Sequence, residues 1–169
     1  MTNLKYITLL FLLIVFSCRQ DKKDEKPNPL AVRLNYEAMK MTPFISNSDS
    51  TNKAISLLNK ATLIDSNYFL GHYNKLIFYS ELKQFNNADK TIQKLIKLRP
   101  NAHDIYLTAG IIKEQLGDTV NAQVYFTKSF DICNKVLDTM SNLNKDYKML
   151  IDNKIWLSTK LRQISHLTK

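Results

Sequence analysis

Residue types that usually mark turns, disulfides or metal sites are scarce in this chain. Its 169 residues include only three Gly, four Pro, two Cys and three His. So few Gly and Pro exclude a collagen and argue against a many-stranded sandwich, which needs a turn about every ten residues. Two Cys cannot form a disulfide framework, and three His add little metal-binding material. Because 44% of the residues are hydrophobic, a low-complexity disordered chain is also excluded and a helical protein is expected.

The first seventeen residues have the layout of a secretory signal peptide. Lys5 is their only charge, and an almost unbroken apolar run follows over residues 6–16. At about eleven residues this run is too short to span the roughly 30 Å core of a bilayer as a permanent helix. A short basic start and a brief apolar run that ends at a small residue, Ser17, are typical of a secretory signal.

The sequence Val-Phe-Ser-Cys at residues 15–18 resembles the lipobox of bacterial lipoproteins. The resemblance implies that residues 1–17 are removed and that Cys18 is acylated, which anchors the chain stably in a membrane. The following residue is Arg19, not the Asp that retains many lipoproteins in the inner membrane, so an outer-membrane location in the cell envelope is favoured. The alternative is an ordinary signal peptide that is cleaved elsewhere, with Cys18 incidental.

Residues 18–29 predict a flexible tether between the lipidated Cys18 and a helical domain over 30–169. From residue 19 onward the segment is polar, has two Pro and has no aliphatic or aromatic side chain. Such a segment cannot bury enough surface to offset the entropy of ordering it. We therefore expect it to stay extended and mobile.

A period of 34 residues organises the helical domain. Ala54, Ala88 and Ala122 are each separated by 34 positions. Other apolar residues repeat in the same register, at Leu58, Ile92 and Phe126 and at Ile64, Leu98 and Ile132. A fixed period of this length predicts a solenoid, in which each helical hairpin covers the apolar face of its neighbour.

These repeats resemble the tetratricopeptide repeat (TPR) family. Two copies span 69–102 and 103–136, and a degenerate copy spans approximately 35–68. The matching signature positions are Ala54, Tyr79, Ala88, Pro100, Gly110, Gly117, Ala122 and Phe126. The resemblance implies an all-α fold, a right-handed superhelix of antiparallel helix pairs. An amphipathic stripe over 145–167 predicts a C-terminal capping helix.

The pattern predicts seven helices, near 30–41, 51–64, 68–82, 86–98, 103–116, 119–139 and 145–167. Pro43 breaks the position where the first helix of the degenerate copy should run. The expected N-caps, whose side chains accept from free backbone N–H groups, are Ser50 or Thr51, Asn67, Asn101 and Asp118.

The TPR resemblance also implies a partner-binding groove along the first helix of each repeat. The corresponding residues are Leu70, Tyr73, Ile77, Ser80 and Glu81 in one repeat and Asp104, Leu107, Ile111, Glu114 and Gln115 in the next. The Lys and Asn that clamp a C-terminal carboxylate in the family are missing. The floor is apolar, and an apolar helix face is therefore the expected ligand. The alternative is that the helix at 30–41 or the last helix fills this groove.

No enzyme motif occurs in the sequence, and we expect no catalytic site, cofactor or metal. His72 is interpreted as a packing residue, His103 as the start of a helix and His166 as part of a final turn. Cys133 is expected to lie partly exposed near a helix end, without a redox role.

Basic side chains give the chain a net charge of +9. They include a stripe at Lys90, Lys94 and Lys97 and a basic last helix with Lys154, Lys160 and Arg162. We interpret the stripe as a solvated face, and nucleic acid is not an expected partner for an exported chain. The expected function is a membrane-anchored interaction module or scaffold that binds another envelope protein. The alternative is a lipoprotein that binds a membrane surface or glycolipid through its basic last helix.

Overall fold

The computed structural model describes residues 26–142 and 144–167. Within them the chain forms seven α-helices and no strand. The helices are α1 (Pro29–Met39), α2 (Ser48–Ile64), α3 (Phe69–Glu81), α4 (Phe85–Leu98), α5 (His103–Gln115), α6 (Thr119–Leu137) and α7 (Tyr147–Leu167), with a short 3₁₀ helix at Thr42–Phe44. Each helix packs against the next one in the chain. The all-α helical-repeat fold expected from the sequence is confirmed.

Four apolar clusters hold the described helices together, and three of them each draw on three successive helices. The fourth is smaller and consists of Ala31 of α1, Ala61 of α2 and Tyr68, the residue before α3. The first cluster joins α1, α2 and α3 around Phe78, and the second joins α3, α4 and α5 around Ile92. The third joins α6 and α7 around Phe126, with Leu107 of α5 packed against it. Because α3 and α5 each contribute to two clusters, the stack is continuous from α1 to α7.

The first helix pair departs from the 34-residue period. Helices α3 and α5 begin 34 residues apart, at 69 and 103, and the same spacing would start a helix at 69 − 34 = 35. Instead α1 begins at Pro29, and Pro43 lies in the 3₁₀ helix that follows it. A proline inside a helix would leave a carbonyl without its partner, so the helix ends before it. Helix α1 still packs against both α2 and α3.

The predicted tether is wrong at its C-terminal end, because Asn28 and Pro29 belong to the folded domain. Pro29 is the first residue of α1, a position that needs no backbone N–H. The Asn28 side chain caps the helix by accepting from the N–H of Leu30 at 2.9 Å. The N–H of Asn28 donates to Oδ2 of Asp65 at 3.0 Å. The predicted signal peptide, Cys18 and the rest of the tether up to residue 25 lie outside the described residues.

The N-cap predicted for α2 is also wrong. Helix α2 begins at Ser48, and Asn47 caps it by accepting from the N–H of Ser50 at 2.9 Å. Thr51, the other residue expected to cap, is buried inside the first turn, and its hydroxyl donates to the carbonyl of Ile45 at 2.6 Å. The chain therefore enters this helix three residues earlier than the sequence pattern indicates.

Two further N-caps are corrected and one is confirmed. Tyr68 and Ala102 occupy the N-cap positions of α3 and α5, and neither has a capping side chain. Asn67 and Asn101 lie one residue too early to cap. Tyr68 is buried, so packing of the entry residue takes the place of a cap here. At α6 the predicted cap is observed, since Asp118 accepts from the backbone N–H three residues ahead at 3.2 Å.

Helices α5 and α6 approach closely at Gly110. A Cβ atom at this position would lie 2.4 Å from two carbons of the Phe126 ring. Because Phe126 is fully buried in the third cluster, the ring has no free space to move into. Only a glycine fits between the two helices here.

The predicted capping helix α7 packs against α6 through side chains that recur every seven residues. Leu150, Leu157 and Ile164 are buried against Phe126 of α6. Trp156 meets the same Phe126 ring edge-on, with 5.6 Å between the ring centroids. These contacts cover the apolar face of α6, as a terminal helix of a solenoid does.

The turns inside two helix pairs use the left-handed backbone conformation at equivalent places. Gly117 has φ of +75° and Lys83 has φ of +55°, and the two residues are 34 positions apart. For a residue other than glycine this conformation costs roughly 1–2 kcal/mol. The turn between α3 and α4 is therefore the more strained of the two.

His72 is a buried packing residue, as predicted. Its Nε2 lies 3.0 Å from the carbonyl oxygen of Ser66. Burial is the main cause that lowers the pKa of His72 below 6.5, and the charges of Lys75 and Lys94 lower it further. The hydrogen bond with the Ser66 carbonyl and the charge of Asp65 oppose this shift. His103, which opens α5, also has a lowered pKa because of burial. The side chain of His166 lies outside the described residues.

Single substitutions at Lys83 and at Gly117 should change the free energy of unfolding in opposite directions. Lys83→Gly should raise the free energy of unfolding by about 1 kcal/mol, because glycine removes the strain. Gly117→Ala should lower it by a similar amount, since a Cβ there meets no atom within 4 Å and only the backbone is strained. Urea denaturation followed by circular dichroism measures both changes. A stability loss in Lys83→Gly would contradict the assigned turn conformation.

Acidification should destabilise the fold through His72. The native state holds this histidine neutral, so the unfolded chain binds more protons once the pH falls below 6.5. The free energy of unfolding therefore decreases as the pH falls from 6.5 towards the lowered native pKa. His72→Gln should lose this part of the pH dependence, and His103→Gln should retain it. Equal pH profiles for the wild type and His72→Gln would show that burial does not hold His72 neutral.

Candidate functional site

The predicted groove positions expose large apolar side chains on two first helices. The term groove positions refers below to eight residues: Leu70, Tyr73, Ile77, Glu81, Asp104, Leu107, Ile111 and Glu114. Leu70 and Ile77 on α3 are 48% and 40% exposed, and Ile111 on α5 is 39% exposed. These side chains lie on neither of the two edges of their helices that enter the apolar clusters. The chain therefore offers solvent an apolar surface along α3 and α5.

Tyr73 on α3 and Asp104 on α5 lie close to each other, where the groove positions of the two helices meet. Tyr73 is half-buried, and its ring stacks on Phe69 with 5.9 Å between centroids. Burial is the main cause that raises the pKa of the Tyr73 hydroxyl, and the nearby negative charge of Asp104 raises it further. An aromatic side chain thus lies between the exposed apolar residues, beside an acid of the next repeat.

The last helix contacts the groove positions at their C-terminal end. Nζ of Lys160 on α7 lies 3.0 Å from Oε1 of Glu114, and both side chains are about a quarter exposed. Leu107 packs against the cluster that contains Leu157. Helix α7 therefore covers Leu107 and Glu114 and leaves Ile111 exposed. The last helix thus fills the groove only at the end formed by α5.

The first helix contacts α3 beside the exposed groove positions. Asn74 donates from Nδ2 to Oδ1 of Asn35 on α1 at 2.8 Å, and both side chains are buried. Asn74 follows Leu70 by four residues and precedes Ile77 by three, so it lies on the same side of α3 as both, and α1 borders the groove positions at this point. Leu70 and Ile77 remain exposed beside this contact.

A cavity of about 760 Å³ adjoins Leu70, which is one of its lining residues. The start of the described chain and the loop between α2 and α3 form its walls. Arg99 supplies a cation there, and its guanidinium lies 3.7 Å from the centroid of the Phe69 ring. This cavity was missed in the sequence, because it forms only when Asn28 reaches Asp65, 37 residues away.

The two basic regions differ in how their charges are used. In the stripe on α4, Lys90 and Lys97 are exposed, whereas Lys94 is half-buried with Nζ 3.3 Å from Oδ1 of Asn67. On α7, Lys160 pairs with Glu114, and Nζ of Lys154 lies 6.0 Å from the centroid of the Phe130 ring. Arg162 is exposed. Two of the three cations predicted for the basic last helix are thus turned towards the protein.

Cys133 is buried, not partly exposed as the sequence indicated. Its exposed fraction is 0%. The equivalent residues in earlier repeats, Asp65 and Arg99, end their helices, but α6 continues to Leu137 and α7 packs beside it. Burial raises the pKa of the Cys133 thiol, which disfavours the reactive thiolate.

Residues 26–142 and 144–167 contain no group of three or more His, Cys, Asp or Glu side chains placed to hold a metal ion. In the same ranges no helix combines the length and the apolar character that crossing a bilayer requires.

Comparison with known proteins identifies the repeat. Residues 71–102 match the tetratricopeptide repeat family. The matched range includes α4 and nearly all of α3, a helix pair that carries Tyr79 and Ala88 and is followed by Pro100. No curated protein matches the chain by sequence.

Solved structures with bound segments of other proteins share the fold. The first TPR domain of Spaghetti (RPAP3), bound to the HSP90 peptide SRMEEVD, superposes with a TM-score of 0.59 at 16% identity, covering 82% of this chain and 93% of that one. The type III secretion chaperone SycD of Yersinia enterocolitica, in complex with a peptide of the translocator YopD, gives a TM-score of 0.65 at 11% identity, with coverages of 86% and 100%. PcrH in complex with the chaperone binding region of PopD gives 0.63 at 11% identity, with coverages of 81% and 92%. With the repeat match over residues 71–102, these likenesses show that the chain has the helical-repeat fold of TPR domains.

Proposed function

We propose that this protein is a lipid-anchored TPR-type interaction module of the bacterial cell envelope. It binds an apolar helical segment of another envelope protein along the groove positions of α3 and α5. The observation that carries the proposal is the exposed apolar row formed by Leu70, Ile77 and Ile111. The role is one of binding and not of catalysis, since the sequence has no enzyme motif.

The chemistry of the row favours an apolar ligand. Full burial of a Leu or Ile side chain contributes about 1.5–3 kcal/mol, so partial burial of three such residues supplies several kcal/mol. Tyr73 adds an aromatic side chain at the centre of the row, where binding energy is usually concentrated. Glu81 is exposed at one end and is available to a basic residue of the ligand.

The structural neighbours support a peptide ligand without naming it. The RPAP3 domain holds an HSP90 peptide, and SycD and PcrH hold segments of YopD and PopD. Their identities to this chain are 11–16%, so the fold carries over and their partners do not. A C-terminal carboxylate ligand is not proposed, because the Lys and Asn of that clamp are missing from the groove positions.

The anchor and its short tether determine where a partner is met. If Cys18 is acylated, residues 19–27 join it to the cap of α1. Nine residues span at most about 30 Å when fully extended. The domain then stays close to the membrane, which raises its effective concentration for neighbours on the same surface. The outer membrane is the proposed location, because Arg19 and not Asp follows the cysteine.

Substitution of the exposed row should abolish partner binding without unfolding the chain. A photo-crosslinking residue placed at Ile77 and, separately, at Ile111 in the native host should label the same envelope protein. In the double variant Ile77→Asp/Ile111→Asp the partner should no longer be captured, because burial of two carboxylates against an apolar ligand is unfavourable. Circular dichroism should show an unchanged helical fold, since both side chains already face solvent.

Helix α6 provides a matched control. Val120 and Val124 are 68% and 59% exposed, and they lie on a second helix outside the groove positions. A crosslinker at Val124 should not label the partner, and Val120→Asp/Val124→Asp should retain capture. Retained capture by a folded Ile77→Asp/Ile111→Asp variant would overturn the proposal. Crosslinks from Ile111 only to α7 of the same chain would show that the last helix fills the groove.

A further inference from the structure

A second cavity, of about 250 Å³, lies where α3 and α4 meet. Helix α3 lines it with His72, Lys75 and Tyr79, which follow Leu70, Tyr73 and Ile77 by two positions each. Two positions correspond to about 200° around a helix. The cavity therefore opens on the side of α3 that faces away from the groove positions.

Three lysines and no carboxylate line this cavity. Lys75 comes from α3, and Lys90 and Lys94 come from successive turns of α4. None of the three forms an ion pair with any acid in the described part of the chain. Lys90 and Lys94 are four positions apart on one helix face, where like charges repel each other. The cavity is therefore positively charged, and no acidic side chain of the described residues pairs with its three lysines.

The ammonium groups have only weak neutral partners. Nζ of Lys75 lies 3.3 Å from the hydroxyl oxygen of Thr62, and Nζ of Lys94 lies 3.3 Å from Oδ1 of Asn67. Lys75 is half-buried, and burial lowers its pKa. A partly buried cation without an anionic partner is unfavourable. An anion placed between the three side chains would relieve both the repulsion and the burial cost.

Three of the other lining residues are bonded to groups other than the lysines. Thr91 donates its hydroxyl to the carbonyl of Asn87 at 2.8 Å, and the Asn87 amide donates to Gln84 at 3.0 Å. His72 is held at the wall by its contact with Ser66. The three ammonium groups are therefore the charged donors that the cavity offers to a ligand.

We propose that this cavity binds a phosphate-class oxyanion, either free phosphate or the phosphoryl group of a lipid headgroup. A volume of about 250 Å³ lies below the range of about 300–1,000 Å³ that is usual for drug-sized ligands and suits a compact anion. Lysine binds phosphate as a point charge, and a tetrahedral oxyanion accepts from several such donors at once. The site is independent of partner binding, because it lies on the opposite side of α3.

Calorimetric titration of the full chain with inorganic phosphate tests the proposal, with sodium chloride added to hold the ionic strength constant. Binding should saturate. Lys75→Met and Lys90→Gln should each weaken it about tenfold or more, the effect expected for loss of one charge-assisted hydrogen bond. Lys97→Gln is the matched control, since it removes the same charge from an exposed position of α4 outside the cavity. Its affinity should stay within about twofold of the wild type.

The melting temperatures measured without phosphate show whether the lysines bind the anion or only stabilise the fold. Lys75→Met and Lys90→Gln should unfold at the same temperature as the wild type or at a higher one, because they remove charges that repel each other. Phosphate should raise the melting temperature of the wild type and of Lys97→Gln but not that of the two cavity variants. Equal loss of binding in Lys97→Gln would show diffuse charge attraction and overturn the proposal. Absence of saturable phosphate binding by the wild type, in solution and on vesicles alike, would also overturn it.

Vesicles distinguish the two sources of the anion. Vesicles of phosphatidylcholine with phosphatidic acid present an exposed phosphate, and vesicles of phosphatidylcholine alone are the reference. If Lys90→Gln and added phosphate both reduce binding to the first kind only, the ligand is a lipid headgroup. If phosphate binds in solution and the full chain does not discriminate between the vesicles, the ligand is free phosphate. Both outcomes support the site.

Discussion

The sharing of α3 and α5 between two apolar clusters is the constraint on which the rest of the structure depends. Phe78 of α3 faces the first cluster and Leu76 of the same helix faces the second. On α5, Ile105 faces the second cluster and Leu107 the third. A helix with two buried edges has only a narrow face left for solvent. The exposed groove positions are that remaining face.

The same constraint explains both ends of the stack. The first cluster requires a helix before α2, and α1 takes that place although it lies outside the 34-residue period. The third cluster requires a cover on α6, which α7 supplies through Leu150, Leu157 and Ile164. Because α7 also contacts Leu107 and Glu114, the cap narrows the apolar surface at its own end.

The 34-residue period predicted the helix pairs from α3 to α6, and the TPR resemblance implied the groove positions, which include the exposed Leu70, Ile77 and Ile111. It could not predict details that depend on which group a residue meets in space. Tyr68 replaces the expected cap Asn67, since its packing against other helices outweighs a local hydrogen bond. Cys133 is buried because α7 lies over it. The cavity beside Leu70 depends in the same way on a contact between Asn28 and Asp65.

The bond between Asn28 and Asp65 also determines how mechanical load enters the domain. A pull on the chain ahead of Asn28 reaches the fold at the cap of α1, where the N–H of Asn28 is held by the Asp65 carboxylate. The load passes first into α1, α2 and α3, which share one apolar cluster. Helices α6 and α7 lie at the other end of the stack and carry the least of it. If a partner bound along α3 and α5 holds the domain while the chain ahead of Asn28 is pulled, we expect the tension to act on α1 and α2 and to leave the capped end undisturbed.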